Sequence, residues 1–205
     1  MESAHWDKAV VALGGCPRGT DLAERYAEPH RGYHNGDHVR QVVRDADLLA
    51  SGHNDRDRAV ITLAALAHDV VYDGKPGDDE RRSAAWARRE LTAAGVAEPD
   101  VARVENLVLA TLSHEHGDDP LAAVLLDADL AILGSDAAGY ERYRAAVRAE
   151  YAHVTDEAWR VGRAAVLRSL LARDPLYVTS TARTRWDARA RLNMAAELTA
   201  LAEVL

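Results

Sequence analysis

Ala59-Val60-Ile61-Thr62-Leu63-Ala64-Ala65-Leu66-Ala67-His68-Asp69-Val70-Val71-Tyr72 is the stretch on which the reading of this chain turns. Thr62 alone interrupts the apolar run before His68. A run of this length with helix-forming Ala and Leu predicts a buried helix. It ends on an ionisable pair and then resumes with two valines. An ionised carboxylate is costly to take out of water without a partner. The C-terminal end of a helix is also an unfavourable place for an anion. A bound cation at Asp69 removes both objections; an Arg partner or a capping contact with a neighbouring helix is the plainer alternative.

Outward from this stretch the pattern stays helical. Gly36-Asp37 opens a helix to about Leu49-Ala50, with Val39, Val42, Val43, Ala46 and Leu49 on one face. Asn54 or Asp55 caps the helix that carries the quoted run to about Val71. Asp78-Asp79-Glu80 puts three carboxylates in the first turn of a third, ending near Ala94-Gly95. A fourth starts at Pro99-Asp100 and ends at His114 and His116. A fifth runs from Asp118-Asp119-Pro120 to Leu133-Gly134. Others are predicted over about 137–151, 155–173 and 183–205. Leu176-Tyr177-Val178-Thr179 is the best short strand candidate. The predicted fold class is all-α: a single-domain helical bundle over 1–205.

The 205 residues suffice for one sizeable core, and 48% hydrophobic with 28% charged residues describe a globular chain. A net charge of −8 argues against a duplex nucleic-acid partner, which calls for a basic face. One cysteine, Cys16, excludes an internal disulfide. The N-terminus shows no signal-peptide pattern and no apolar stretch approaches the ~20 residues of a membrane span, so a cytoplasmic protein with no membrane partner is expected. A monomer and a homodimer both fit.

Two more segments resemble the His68-Asp69 setting. His38 stands on the helix opened by Gly36, and His34 lies four residues earlier on the preceding loop. Asp127 and Asp129 interrupt an apolar helix; two residues apart, they point about 200° from each other, so only one can face a common centre, and spacing does not choose. Two imidazoles and two carboxylates make a ligand set for a hard or borderline divalent metal. His114 either turns inward or is an exposed histidine at a helix end.

In this order, His38, then His68-Asp69, then a distant aspartate resemble the HD superfamily of metal-dependent phosphohydrolases. The flanking stretches carry the likeness further: Arg31-Gly32-Tyr33-His34-Asn35-Gly36-Asp37-His38, Ala67 to Tyr72, Asp79-Glu80-Arg81-Arg82-Ser83-Ala84, Leu126 to Gly134, Tyr140 to Tyr151 and Trp159 to Arg163 are similar to a small single-domain branch of predicted HD phosphohydrolases. The resemblance covers about Arg25 to Leu201. It implies an HD-type helical domain with a core of about 25–201 and selects Asp129 over Asp127 as ligand. It implies one divalent metal on His38, His68, Asp69 and Asp129: manganese first, with cobalt, nickel, iron, zinc and magnesium as alternatives. His114 and His116, two residues apart, do not fit the arrangement of dinuclear members, which lowers the case for an oxygenase on the same fold. A small phosphorylated substrate, such as a nucleotide, is the expected partner. Asp69 is then expected at the water, with Glu80 or Asp73 as general base or water orienter. Arg31, His34, Arg81 and His114 are the expected phosphate-holding groups. A non-catalytic metal- or nucleotide-binding protein is the remaining alternative.

Overall fold

The computed structural model describes residues 2–115 and 117–202. Every regular element among them is helical and none is a strand. Leu176 and Tyr177 therefore correct the strand expectation. Their side chains are buried, and the Tyr177 hydroxyl donates to the Leu130 carbonyl at 2.9 Å, but no strand pairs with their backbone. Apolar character here marks burial of a connecting segment, which short runs cannot distinguish from a strand.

Chain contacts divide the molecule into two compact units, Met1–Asp129 and Leu130–Leu205; the sequence reading had placed one domain over the whole. In the first unit α1 is Glu2–Ala12, α2 Leu22–Tyr26, α3 Gly36–Leu49, α4 Asp55–Ala67, α5 Asp78–Ala93, α6 Glu98–Ala110 and α7 Pro120–Asp129. In the second a 3-10 turn spans Leu130–Gly134, followed by α8 Ala137–Glu150, α9 Asp156–Leu171, α10 Ser180–Ala182, a π-helical turn Arg183–Asp187 and α11 Ala188–Ala202. Among the described residues no helix is long and apolar enough to cross a membrane.

The central helix of the first unit is α4. It packs on α1, α3, α5, α6 and α7, and all of Leu63 to Ala67 is buried. A helix that is apolar all round must lie inside other helices. Asn54 caps it, accepting from the Asp57 amide at 2.9 Å. Asn35 caps α3 in the same way through the Asp37 amide. In α3 only one face is buried, Val39, Val42, Val43, Ala46 and Leu49 together with His38. All of Leu121 to Ala128 is buried in α7. Burying that many side chains, each worth roughly 1.5–3 kcal/mol when apolar and large, holds α3, α4 and α7 together. Those are the helices that carry His38, the His68-Asp69 pair and Asp129.

Two elements lie outside the sequence expectations. α1 and α2 were not predicted, although Trp6, Val10 and Leu13 recur with helical spacing and are buried. α4 stops at Ala67 instead of Val71, and α6 at Ala110, short of His114. The Thr111 hydroxyl folds back onto the Val108 carbonyl at 2.7 Å, and His114 adopts a left-handed backbone with φ 52°. That conformation costs a non-glycine residue roughly 1–2 kcal/mol and ends helical propagation. His116 lies outside the described residues.

Candidate metal centre

His38 reaches inward from the first turns of α3, whose apolar face fixes its direction. His68 follows the last residue of α4. Its Nδ1 donates to the Ala65 carbonyl at 2.8 Å, which leaves the Nε2 lone pair facing the centre. Asp69 begins the turn after α4, and Asp129 closes α7. The structure thus brings together side chains from three segments of the chain: His38, the adjacent His68 and Asp69, and Asp129.

The two Nε2 atoms are 3.3 Å apart. Asp69 Oδ2 lies 3.4 Å from His38 Nε2 and 3.1 Å from His68 Nε2. Asp129 Oδ1 lies 3.3 and 3.5 Å from the same two atoms. Bonds of about 2.1 Å to a divalent ion put neighbouring donors about 3.0 Å apart at a right angle and about 3.4 Å apart at the tetrahedral angle. The observed separations fall in that range. His38, His68 and Asp69 alone form a group whose donor atoms lie within 4.8 Å of one another, and this group can hold a metal ion. The charge also fits: two neutral imidazoles and two carboxylates balance a divalent cation.

Electrostatics give a second sign of a cation site. Burial opposes charge on all four groups, yet their mutual attraction outweighs it. Burial would lower His38 and His68, but the Asp69 and Asp129 carboxylates raise both imidazoles, His68 well above its ordinary value. Burial would raise Asp69 and Asp129, but the imidazoles, and for Asp129 also His114, hold both well below the usual carboxylate range. Without an ion, the two carboxylates thus favour the protonated form of the imidazoles. The imidazole side chains are 3% and 1% exposed, the carboxylates 19% and 16%, so the centre opens on its carboxylate side.

The other expected site residues divide into neighbours and outsiders. His114 is a neighbour: its Nε2 lies 3.3 Å from Asp129 Oδ2, on the oxygen turned away from the cluster imidazoles. His34 is another, stacked on Tyr72 with ring centroids 4.2 Å apart and 5.6 Å from the His38 ring. Asp127 is buried, and its position two residues before Asp129 turns it to another face of α7.

Glu80, Asp73 and Arg81 are outsiders. Glu80 accepts from the Gly77 amide at 2.6 Å and closes the first turn of α5. Gly77 has φ 86°, which suits glycine and lets the chain turn into that helix. Asp73 accepts from Arg82 at 2.5 Å, and Arg81 donates to the Gly77 carbonyl. Their hydrogen bonds and ion pairs stay within residues 73–82. Arg31 is not an open phosphate clamp either: its side chain is fully buried, and it bonds Glu28 and three backbone carbonyls. The sequence reading missed Asp79 and Ser83. Asp79 Oδ2 accepts from the Asp73 and Lys75 amides, and the Ser83 hydroxyl accepts from the Val71 amide. Together they pin the loop that follows Asp69. Their signal was position: both lie on α5 within the motif quoted above.

No protein-family model matches this chain, and neither a curated protein nor a solved structure matches it.

Proposed function

We propose that this protein is a metal-dependent phosphohydrolase of the HD superfamily, cleaving a small phosphate ester such as a nucleotide. The observation that supports the reading is the convergence of His38, His68, Asp69 and Asp129 with donor separations of 3.1–3.5 Å. One ion per chain is the expected load, manganese first. When bound, a divalent ion supplies Lewis acidity and lowers the pKa of water.

The chain's own residues do the rest. His38 and His68 are buried donors held by α3 and by the Ala65 carbonyl, so they need little rearrangement to bind. Asp69 and Asp129 carry the balancing negative charge, and their partly open carboxylates are the groups a reacting water meets first. Asp69 orients that water towards phosphorus. The water oxygen would bond phosphorus as the P–O ester bond breaks, and the proton given up by that water would pass to the departing oxygen, which leaves as an alcohol. His114, at the open side beside Asp129, and His34, at the rim, are the nearest groups to hold phosphate or pass that proton.

The test is a panel of phosphate esters and nucleotides assayed with each candidate metal, with metal content counted by mass spectrometry. Phosphate release with one ion per chain is the expected result. Metal binding with no turnover on any member points to a non-catalytic metal-binding protein. Two irons per chain point to an oxygenase.

A further inference from the structure

Five backbone carbonyls around the His68-Asp69 turn, those of Ala65, Leu66, Ala67, Asp69 and Val70, have a donor. The Ala65 carbonyl takes His68 Nδ1, the Leu66 carbonyl takes the Tyr26 hydroxyl at 3.1 Å, and the Ala67 carbonyl takes the Val70 amide at 3.2 Å. The carbonyls of Asp69 and Val70 belong to Arg31: its Nη1 donates to Asp69 O at 2.6 Å and its Nη2 to Val70 O at 3.0 Å. The end of a helix leaves such carbonyls without intrahelical partners, and a cation is favoured there.

The same guanidinium reaches the other ligand-bearing segment. Nη1 also donates to His34 O at 3.0 Å, four residues before His38, while Nε is braced by Glu28 at 3.0 Å. Four of the five N–H groups of Arg31 are thus committed, and the side chain is fully buried. The guanidinium also lies 5.2 Å from the centre of the Tyr26 ring and 5.7 Å from that of Tyr72.

We propose that Arg31 is the positioning residue of the metal centre: by joining the Asp69 and Val70 carbonyls to the His34 carbonyl, it sets the distance between the Asp69 carboxylate and the His38 imidazole. The inference rests on the metal reading above and adds that ion affinity depends on a residue that touches neither ion nor substrate. Lysine cannot replace it, because one ammonium is a point charge and cannot span three carbonyls in a plane. Losing a partner of this kind costs about 10- to 100-fold in metal affinity.

Cobalt is the probe, because its visible absorption reports ligand geometry without any substrate. Wild-type protein, Arg31→Lys, Glu28→Ala and the remote control Arg18→Ala are titrated with cobalt after their folds are compared by circular dichroism. Arg31→Lys is expected to weaken cobalt binding about 10- to 100-fold and to change the absorption bands, and Glu28→Ala to move both the same way by less. Arg18→Ala is expected to leave both alone. A folded Arg31→Lys with wild-type affinity and spectrum overturns the proposal. If Arg31→Lys does not fold, Glu28→Ala decides, and unaltered binding and spectrum overturn the proposal. Wild-type protein that binds no cobalt overturns the metal reading itself, a result distinct from wild-type binding with unaffected variants.

Discussion

Two carboxylate sites in this molecule are built differently. In the second unit Glu197 is 3% exposed and meets its countercharge inside the chain. Arg163 donates to both of its oxygens at 2.9 and 3.0 Å, and the Tyr140 hydroxyl adds a third bond at 2.7 Å. Burial, and then the Glu197 carboxylate, push that phenol well above its ordinary value. In the first unit Asp69 and Asp129 face the imidazoles of His38, His68 and His114, and no arginine or lysine side chain takes part in these ion pairs. A carboxylate held out of water is costly unless hydrogen bonds or a countercharge compensate it. Glu197 has a permanent one, so its site is structural. The Asp69–Asp129 centre has only groups that give up their charge with a proton, and such a centre can exchange its protons for a metal.

The largest test of that contrast is Asp69→Ala. Removing one of two anionic ligands is expected to lower metal-dependent phosphate release by about a thousandfold or more, on the scale of essential metal-site groups. Activity within tenfold of wild type would remove the metal centre from the mechanism. Next comes Glu197→Gln, which leaves Arg163 buried and unpaired. A loss of about 3–5 kcal/mol in urea-induced unfolding is expected. The paired change Arg163→Met with Glu197→Leu is expected to recover most of it, because neither charge is then left alone.

Metal removal should separate the two sites further. At a hundredfold excess over the dissociation constant, an ion is expected to stabilise the protein by about 2.7 kcal/mol, measured as the melting difference with and without chelator. The effect should depend on pH. His38 and His68 are raised above the unfolded value of about 6.5. Without metal, their contribution to stability is full below that value and is lost as pH rises through the folded one. Metal requires the same imidazoles without their protons, so affinity and metal-induced stabilisation rise over the same interval. Calorimetry in buffers of different ionisation enthalpy is expected to detect more protons released on metal binding as pH falls; proton release that does not vary with pH would break the link between these imidazoles and the metal. The smallest effect is expected for Glu80→Gln. It weakens the closure of one helix turn, worth about 1 kcal/mol, with activity within about threefold. A larger loss of turnover at equal stability would restore Glu80 to the reaction.

Much of the fold was legible because helix ends carry local chemistry. The predicted starts near Gly36, Asp55, Asp78 and Asp156 agree with α3, α4, α5 and α9 within a residue or two, since the caps and first-turn carboxylates lie in the sequence beside them. The overrun of α4 past Ala67 had no local sign. Tyr26, forty residues before Leu66, takes the Leu66 carbonyl, and Arg31 takes the Asp69 and Val70 carbonyls just beyond the helix. Glu80 and Asp73 looked available for proton transfer because acidity and motif position are visible in a sequence. Their engagement with Gly77 and Arg82 appears only in the folded turn.

Helical class, chain segments and the types of donor atom follow from the amino-acid order alone, because periodicity, capping and the cost of burying a carboxylate are properties of short stretches. Which of those donors meet, and which arginine holds backbone instead of substrate, follows only from tertiary packing. Distances of a few ångströms between His38, His68, Asp69 and Asp129 are set by how α3, α4 and α7 lie against one another, and no local stretch encodes that.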